Sequence, residues 1–269
     1  MKKLGFIGAG NMGSAILGGV IGHGFLQADE IAVFDVSSEQ CAKLQGKYGV
    51  TIAASERELI ESSECVLLAV KPVYLKDVLE QAKPYANGKR FISIAAGWTF
   101  GMLTAILDKQ SGARVLRVMP NTPAMVGEGF TALCEETTLT PEEFAWAKAL
   151  FDTLGETVVL PERLFDAVVA VSGSSPAYIY MMIEAMADAA VALGMPRALA
   201  YRAAAQATLG SATMVLETGE HPAKLKDDVC SPAGTTIDAV RTLEREGFRS
   251  AVMDAMIACA DKSKAMSQN

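Results

Sequence analysis

Two short stretches of this chain hold the residue types from which a site could be built. Near the start, Gly8-Ala9-Gly10-Asn11-Met12-Gly13 places glycines first, third and sixth, directly after the apolar run "KLGFI". Late in the chain, Ser231-Pro232-Ala233-Gly234-Thr235-Thr236 interrupts a helical region and opens a fresh amphipathic run. In the first stretch each glycine answers a different need. Gly8 permits a tight turn, Gly10 lets the backbone approach a pyrophosphate, and Gly13 lets the following helix pack close to the strand. The amides of Asn11 and Met12, with Ala9 inside the turn, then face the phosphates at a helix N-terminus. Asp35 ends the second apolar run, roughly twenty residues beyond the last glycine, where an acid can accept both hydroxyls of a ribose. Its carboxylate repels the 2′-phosphate of NADP and by itself favours NAD; Ser37 and Ser38 could cradle a phosphate if Asp35 turned away. The second stretch offers the N–H groups of Gly234, Thr235 and Thr236 to a small carboxylate, with the Thr236 hydroxyl free for a nearby polar atom. A Thr-capped helix–helix turn accounts for the same residues.

Further candidates follow from where strands end. In open parallel sheets ligands lie beyond the carboxyl ends of the strands. Ala69-Val70-Lys71-Pro72 and Ala95-Ala96-Gly97 end strong strand candidates, and their small residues leave room for a nicotinamide ribose. A solvated loop lysine is the plain alternative for Lys71. In "MPNTPA", two prolines stiffen a loop from which Asn121 and Thr122 could hydrogen-bond a ligand, or which is simply a rigid turn. The absences also constrain the chemistry. His23 and His221 are the sole histidines, and neither sits where an alcohol's proton would be moved. A protonated imine is already electrophilic, so its reduction asks mainly for position and orientation. These residues suit imine reduction better than ketone reduction. With two histidines and five scattered cysteines, no CxxC among them, no metal site is expected.

The elements that must position these residues alternate in the first half. Short apolar strands (around "KLGFI", "EIAVFDV", "CVLLAV", "RFISIA" and "RVLRVM") are separated by helices, the pattern of a parallel sheet covered on both faces. "FTALCE" and "ETVVLP" are candidate edge strands. From about Glu162 every segment carries helical spacing, punctuated by Gly173, Gly194, Gly219 and Gly247. The expected fold class is an α/β Rossmann-type domain over residues 1–160, with a parallel-rich sheet, followed by an all-α dimerisation and substrate-binding domain over 161–269. The helical half is apolar on most faces, which predicts an extensive subunit interface.

Composition excludes other classes. The formal net charge of -7, with no basic run, argues against nucleic acid and anionic membrane surfaces as partners. The most apolar long segment, Ala177 to Leu193, contains Glu184 and Asp188 and reads as a buried helix rather than a membrane span. "MKKLGFIGAG" ends in glycines and is not a signal peptide, and scattered free cysteines fit a cytoplasmic protein.

Six stretches together resemble one family. "FIGAGNMGSAI", "AVKP", "SIAAG", "RVMPNTPA", "VSGSSPAY" and above all "LKDDVCSPAGTTIDAV" are similar, in order and spacing from Phe6 to about Met256, to pyrroline-5-carboxylate reductases. The resemblance implies hydride transfer from NADPH or NADH to the cyclic imine 1-pyrroline-5-carboxylate, giving L-proline as the last step of its synthesis. It implies a homodimer of interlocking helical domains, or a larger homo-oligomer, in which substrate and cofactor residues come from different subunits. It assigns the substrate carboxylate to the amides of Gly234, Thr235 and Thr236, the ring nitrogen to the Thr236 hydroxyl as the catalytic group, and a place near the substrate to Glu162. It assigns the cofactor to Val70, Lys71 and Pro72 with Ala95, Ala96 and Gly97. Ser175 and Ala233 stand where the family usually has glycine, Asp228 where many members have Asn, and Glu56 where an Asn often meets the adenosine ribose. Asp35 and Glu56 count against a preference for NADP.

Overall fold

The computed structural model describes residues 1–107 and 109–267. Its sheet has eight strands: β1 (Lys2–Ile7), β2 (Ile31–Phe34), β3 (Thr51–Ile52), β4 (Ser63–Leu68), β5 (Arg90–Ser93), β6 (Arg114–Met119), β7 (Gly129–Thr137) and β8 (Gly155–Leu160). They lie in the order β3-β2-β1-β4-β5-β6-β7-β8. Every neighbouring pair is parallel except β6 with β7. The two expected edge strands are β7, which pairs on both sides, and β8.

Helices α1 (Asn11–Gly22), α2 (Ser38–Tyr48), α3 (Glu56–Ser62), α4 (Pro72–Ala82), α5 (Phe100–Ile106) and α6 (Pro141–Asp152) cover both faces. The strand residues alternate between two cores, as the two-residue period of a strand requires. Leu4 and Phe6 of β1, with Cys65 and Leu67 of β4, pack beneath α1, α2 and α6. Ile7, Val66 and Leu68 pack beneath α3, α4 and α5. Burial on both faces is why these strands read as unbroken apolar runs. Ser37, Ser55, Thr99 and Thr140 each accept an N–H three residues on, and so start α2, α3, α5 and α6. The strand order reverses between β2-β1 and β4-β5. A crevice therefore opens at the carboxyl ends of β1 and β4, beside the glycine turn.

By its contacts the chain forms two compact units: Met1–Ser174 together with the chain from Cys259 onward, and Ser175–Ala258. The division falls after Ser174, whereas the expected boundary at 160/161 marks the end of the last strand. The reason is packing. Phe165 and Val168, in the short helix α7 (Phe165–Val168), are buried with Ala132 and Cys134 of β7. Ser263 also donates to Asp166 at 2.7 Å.

The second unit holds α8 (Ser175–Ala192), α9 (Arg197–Thr218), α10 (Pro222–Val229), α11 (Thr235–Arg245) and the first part of α12 (Phe248–Met266). Ala187, Ala200 and Ala204 are buried where α8 and α9 pack together. Larger side chains are not covered: Met181, Leu199, Leu209 and Leu216 are all exposed. Among the described residues no helix is long and apolar enough to cross a membrane.

Candidate active site

In the first unit the three glycines of the N-terminal turn sit in three different environments. Gly8 has φ +105°, and a Cβ there would lie 2.6 Å from the Ala69 carbonyl oxygen. A Cβ on Gly13 would lie 2.4 Å from the Gly8 carbonyl oxygen, so α1 rides directly on the turn. A Cβ on Gly10 would meet nothing within 4 Å. Gly10 is also the residue before α1, and no side chain caps this helix start. Open space faces the uncapped N–H groups of α1, where Asn11 is exposed and Met12 is partly packed on the core. The Ala9 amide is turned away: it donates to Asp35 Oδ2 at 2.6 Å, and the Ser37 amide donates to Asp35 Oδ1 at 2.8 Å. Asp35 thus joins the glycine turn to the start of α2.

The neighbouring loops are tied to one another. Ala69 extends β4 by donating to the Ile7 carbonyl at 2.8 Å. Val70 lines the crevice, Lys71 is exposed at the start of α4, and the Pro72 carbonyl accepts from Trp98 Nε1 at 3.0 Å. Ala95 is buried and Ala96 half-buried. A Cβ on Gly97 would lie 3.0 Å from Met266 Cβ, so the end of α12 closes over this loop. Beside Gly8 lies a pocket of about 410 Å³ lined by Asp35, Val36, Glu56, Val70, Tyr74 and Asp77, among others.

Two of the expected site residues also make hydrogen bonds within the protein. Asn121 is 8 % exposed; its Nδ2 donates to the Ser172 carbonyl at 3.1 Å and its Oδ1 accepts from the Phe130 amide at 2.9 Å. Its side chain holds the loop after β6 in place. Glu162 Oε1 accepts from Arg117 Nη1 at 2.7 Å and from the Phe100 amide at 2.6 Å, while its own amide donates to Glu136 Oε2 at 2.8 Å. The Arg117 guanidinium lies 4.5 Å from the Phe165 ring centre. Glu162 is therefore the junction between β6, the start of α5 and the stretch before α7. Arg117 is not among the expected site residues, although a charge inside the apolar run "RVLRVM" is itself a signal of a buried partner.

In the second unit the late loop is a tight turn. The Gly234 amide donates to the Ser231 carbonyl at 3.0 Å, with Pro232 and Ala233 between them. Ala233 has φ +57°, the one non-glycine positive φ among the described residues, at the turn position that usually demands glycine. Gly234 precedes α11 and, with no side-chain cap, leaves its first N–H groups open. A Cβ on Gly234 would fall 2.3 Å from Ser231 Oγ. Thr236 is half-buried and Thr235 exposed, and among the described residues no hydrogen bond engages either hydroxyl. The carboxylates just before the turn are paired, Asp228 with Lys224 at 2.6 Å and Asp227 with Lys226. Lys226 holds the Asp227 carboxyl below the usual range.

Both histidines stand at helix ends. His221 starts α10, its Nδ1 accepting from the Ala223 amide at 3.2 Å, and His23 ends α1. Burial pushes the Cys65 and Cys134 thiols up to about 12. Among the described residues no cluster of His, Cys, Asp and Glu could hold a metal.

The Escherichia coli (strain K12) pyrroline-5-carboxylate reductase is 48 % identical over 269 residues, covering 100 % of this chain and 99 % of that one. This chain belongs to the pyrroline-5-carboxylate reductase family. A model of pyrroline-5-carboxylate reductase dimerisation matches residues 162–266, and one of NADP oxidoreductase, coenzyme F420-dependent, matches residues 3–97. The solved Plasmodium falciparum pyrroline carboxylate reductase with NADP bound superposes with a TM-score of 0.91 at 32 % identity, covering 99 % of this chain and 98 % of that one. The Coxiella burnetii pyrroline-5-carboxylate reductase gives 0.89, also at 32 % identity, over 100 % and 99 % of the two chains. The dimerisation match covers the helices that leave large apolar side chains uncovered. A dinucleotide fits the first unit as built: open space over Gly10, uncapped amides on α1 and a pocket beside Gly8 are what a pyrophosphate and its adenosine need.

Proposed function

We infer that this chain reduces the C=N bond of 1-pyrroline-5-carboxylate to give L-proline, with NADPH or NADH as the reductant. The observation that carries this reading is the full-length match to the reductase family, with both the glycine turn and the Thr235-Thr236 helix start intact. Each unit contributes one half of the chemistry. In the first, Gly8, Gly10 and Gly13, with the amides of Asn11 and Met12, seat the dinucleotide, and the loops at Ala69–Pro72 and Ala95–Gly97 flank it. A reduced nicotinamide held there supplies a hydride. In the second unit, the open N–H groups of Gly234, Thr235 and Thr236 hold the substrate carboxylate without a basic side chain. The Thr236 hydroxyl accepts from the ring N–H of the protonated imine and fixes its orientation. The hydride adds to the imine carbon, the C=N π pair returns to nitrogen, and the nitrogen keeps its proton. No acid–base side chain is needed, in keeping with histidines used only at helix ends. Positioning alone can supply about 7–11 kcal/mol toward such a barrier.

Glu162 acts at one remove, by fixing Arg117 and the Phe100 amide, and Asn121 by fixing its own loop. The working assembly is a homodimer or a larger ring of dimers. Free thiols and a net charge of -7 favour a cytoplasmic enzyme with no nucleic-acid or membrane partner. The test is to add pyrroline-5-carboxylate to purified protein with NADH and, in parallel, with NADPH, following nicotinamide absorbance. Rapid loss with at least one cofactor, and proline as the product, is the expected result. No loss with either, while both bind, overturns the reading.

A further inference from the structure

We propose that the pocket beside Gly8 discriminates against a 2′-phosphate, so that this enzyme takes NADH in preference to NADPH, with Asp35 and Glu56 as the specificity-determining residues. This rests on the cofactor reading above and goes beyond it by choosing between the two dinucleotides. It also separates this chain from the Plasmodium falciparum relative, which was solved with NADP bound.

Three observations carry it. The first is the charge of the pocket. Asp35, Glu56 and Asp77 line it, and among the described residues no Lys, Arg or His does. Lys71 and Lys76, next in sequence to Val70 and Asp77, are exposed and do not line it. Arg57 pairs with Glu61 at 3.0 Å and stacks on Tyr85 at 4.9 Å, and the α2 lysines Lys43 and Lys47 line a different groove, along α1. A 2′-phosphate brings close to two negative charges and needs a cation or free amides to receive them.

The second observation concerns those amides. The turn after β2 is where backbone N–H groups would grip such a phosphate. Here the Ala9 and Ser37 amides both donate to Asp35, at 2.6 and 2.8 Å. The Ser37 hydroxyl faces the Gln40 amide as the cap of α2. Asp35 is thus held by the very donors a phosphate would use, and it cannot turn away without breaking two hydrogen bonds. The sequence alone left that movement open; the geometry closes it.

The third is the state of Glu56. Its Oε2 is buried and, among the described residues, has no hydrogen-bond partner. Burial pushes its carboxyl above the usual range. A buried acceptor without a donor is costly, and a ribose hydroxyl supplies the missing O–H. A phosphate ester at the 2′ position replaces that donor with acceptor oxygens. A free ribose therefore satisfies the pocket, and a phosphorylated one leaves it unsatisfied and adds repulsion.

The test uses the whole protein and two ligands that cannot react, ADP-ribose and 2′-phospho-ADP-ribose, titrated by calorimetry. The wild type is expected to bind ADP-ribose at least tenfold more tightly. Glu56→Gln, which keeps the shape and removes the charge, is expected to narrow that ratio at least threefold, and Asp35→Asn to narrow it further. Asp35 also braces the glycine turn, so a loss of both ligands in Asp35→Asn reports the brace, and the Glu56→Gln ratio then decides. Equal or tighter binding of the 2′-phosphate form by the wild type overturns the proposal while leaving the cofactor reading intact. So does a ratio that Glu56→Gln does not move. Failure of both ligands to bind the wild type overturns the cofactor reading and this inference with it.

Discussion

The two units of this molecule are equally rich in apolar residues but differ in what those residues touch. In the first, Phe6, Phe91, Phe151 and Phe165 are fully buried within a single chain, on both faces of a twisted sheet. In the second, the buried side chains of α8 and α9 are alanines, while Leu193 is 89 % exposed and Leu216 77 %. The first unit builds its core within one chain, because a parallel-rich sheet with helices on both faces buries its large apolar strand residues, although side chains such as Val36, Val73 and Val126 stay exposed at its loops and helix ends. The second, a set of helices apolar on most faces, leaves large apolar side chains uncovered in the single chain, as an interface between copies would require. On the proposed function, the cofactor belongs to the half with its own core, and the carboxylate-binding turn to the half with the uncovered apolar face.

The largest way to break this contrast is to charge the uncovered face. Leu209→Glu with Leu216→Glu removes about 2 kcal/mol of burial per leucine and adds the cost of desolvating two carboxylates. Sedimentation velocity should show a single-chain species with no reductase activity. ADP-ribose should still bind it, because the first unit keeps its own core. Retained activity in a monomer would break the comparison.

Next is Gly13→Val on the self-sufficient side. Its Cβ would meet the Gly8 carbonyl at 2.4 Å, a backbone contact that cannot yield. Dinucleotide affinity should fall at least 100-fold, about 2.7 kcal/mol, with the oligomer mass unchanged. Smaller is Thr236→Val, which keeps the helix-start amides and deletes the hydroxyl. kcat/KM should drop roughly 10- to 100-fold, about 1.4–2.7 kcal/mol, with dinucleotide affinity unaltered in calorimetry. Smallest is Ala233→Gly, which relieves a left-handed alanine at φ +57°. A gain of up to about 1 kcal/mol in urea unfolding and a less than threefold change in KM are expected.

Much of this was legible in the sequence because it is local. The glycine spacing, the alternation of strands and helices, and caps such as Ser55 with Glu58 depend on near neighbours and were readable. Helix α6 was passed over although Thr140 and Glu143 form a reciprocal capping box, the kind of local signal that could have found it. What stayed hidden depends on distant partners. The hold of Ser172 and Phe130 on the two ends of the Asn121 amide is one case. The pairing of Glu162 with Arg117, 45 positions away in sequence, is another. The hold of the Ala9 amide on Asp35 is of the same kind. The first compact unit runs on to Ser174, past the last strand, because Phe165 and Val168 pack back under β7, which helical spacing cannot reveal.

The central claim is that one half of the chain is complete alone and the other only in company, and that imine reduction needs both. Its most direct test is light scattering and reductase assay on the same samples of wild-type protein across a dilution series. At least twice the single-chain mass is expected wherever pyrroline-5-carboxylate is reduced, with activity falling as the assembly dissociates. Full activity from a species of single-chain mass would contradict it.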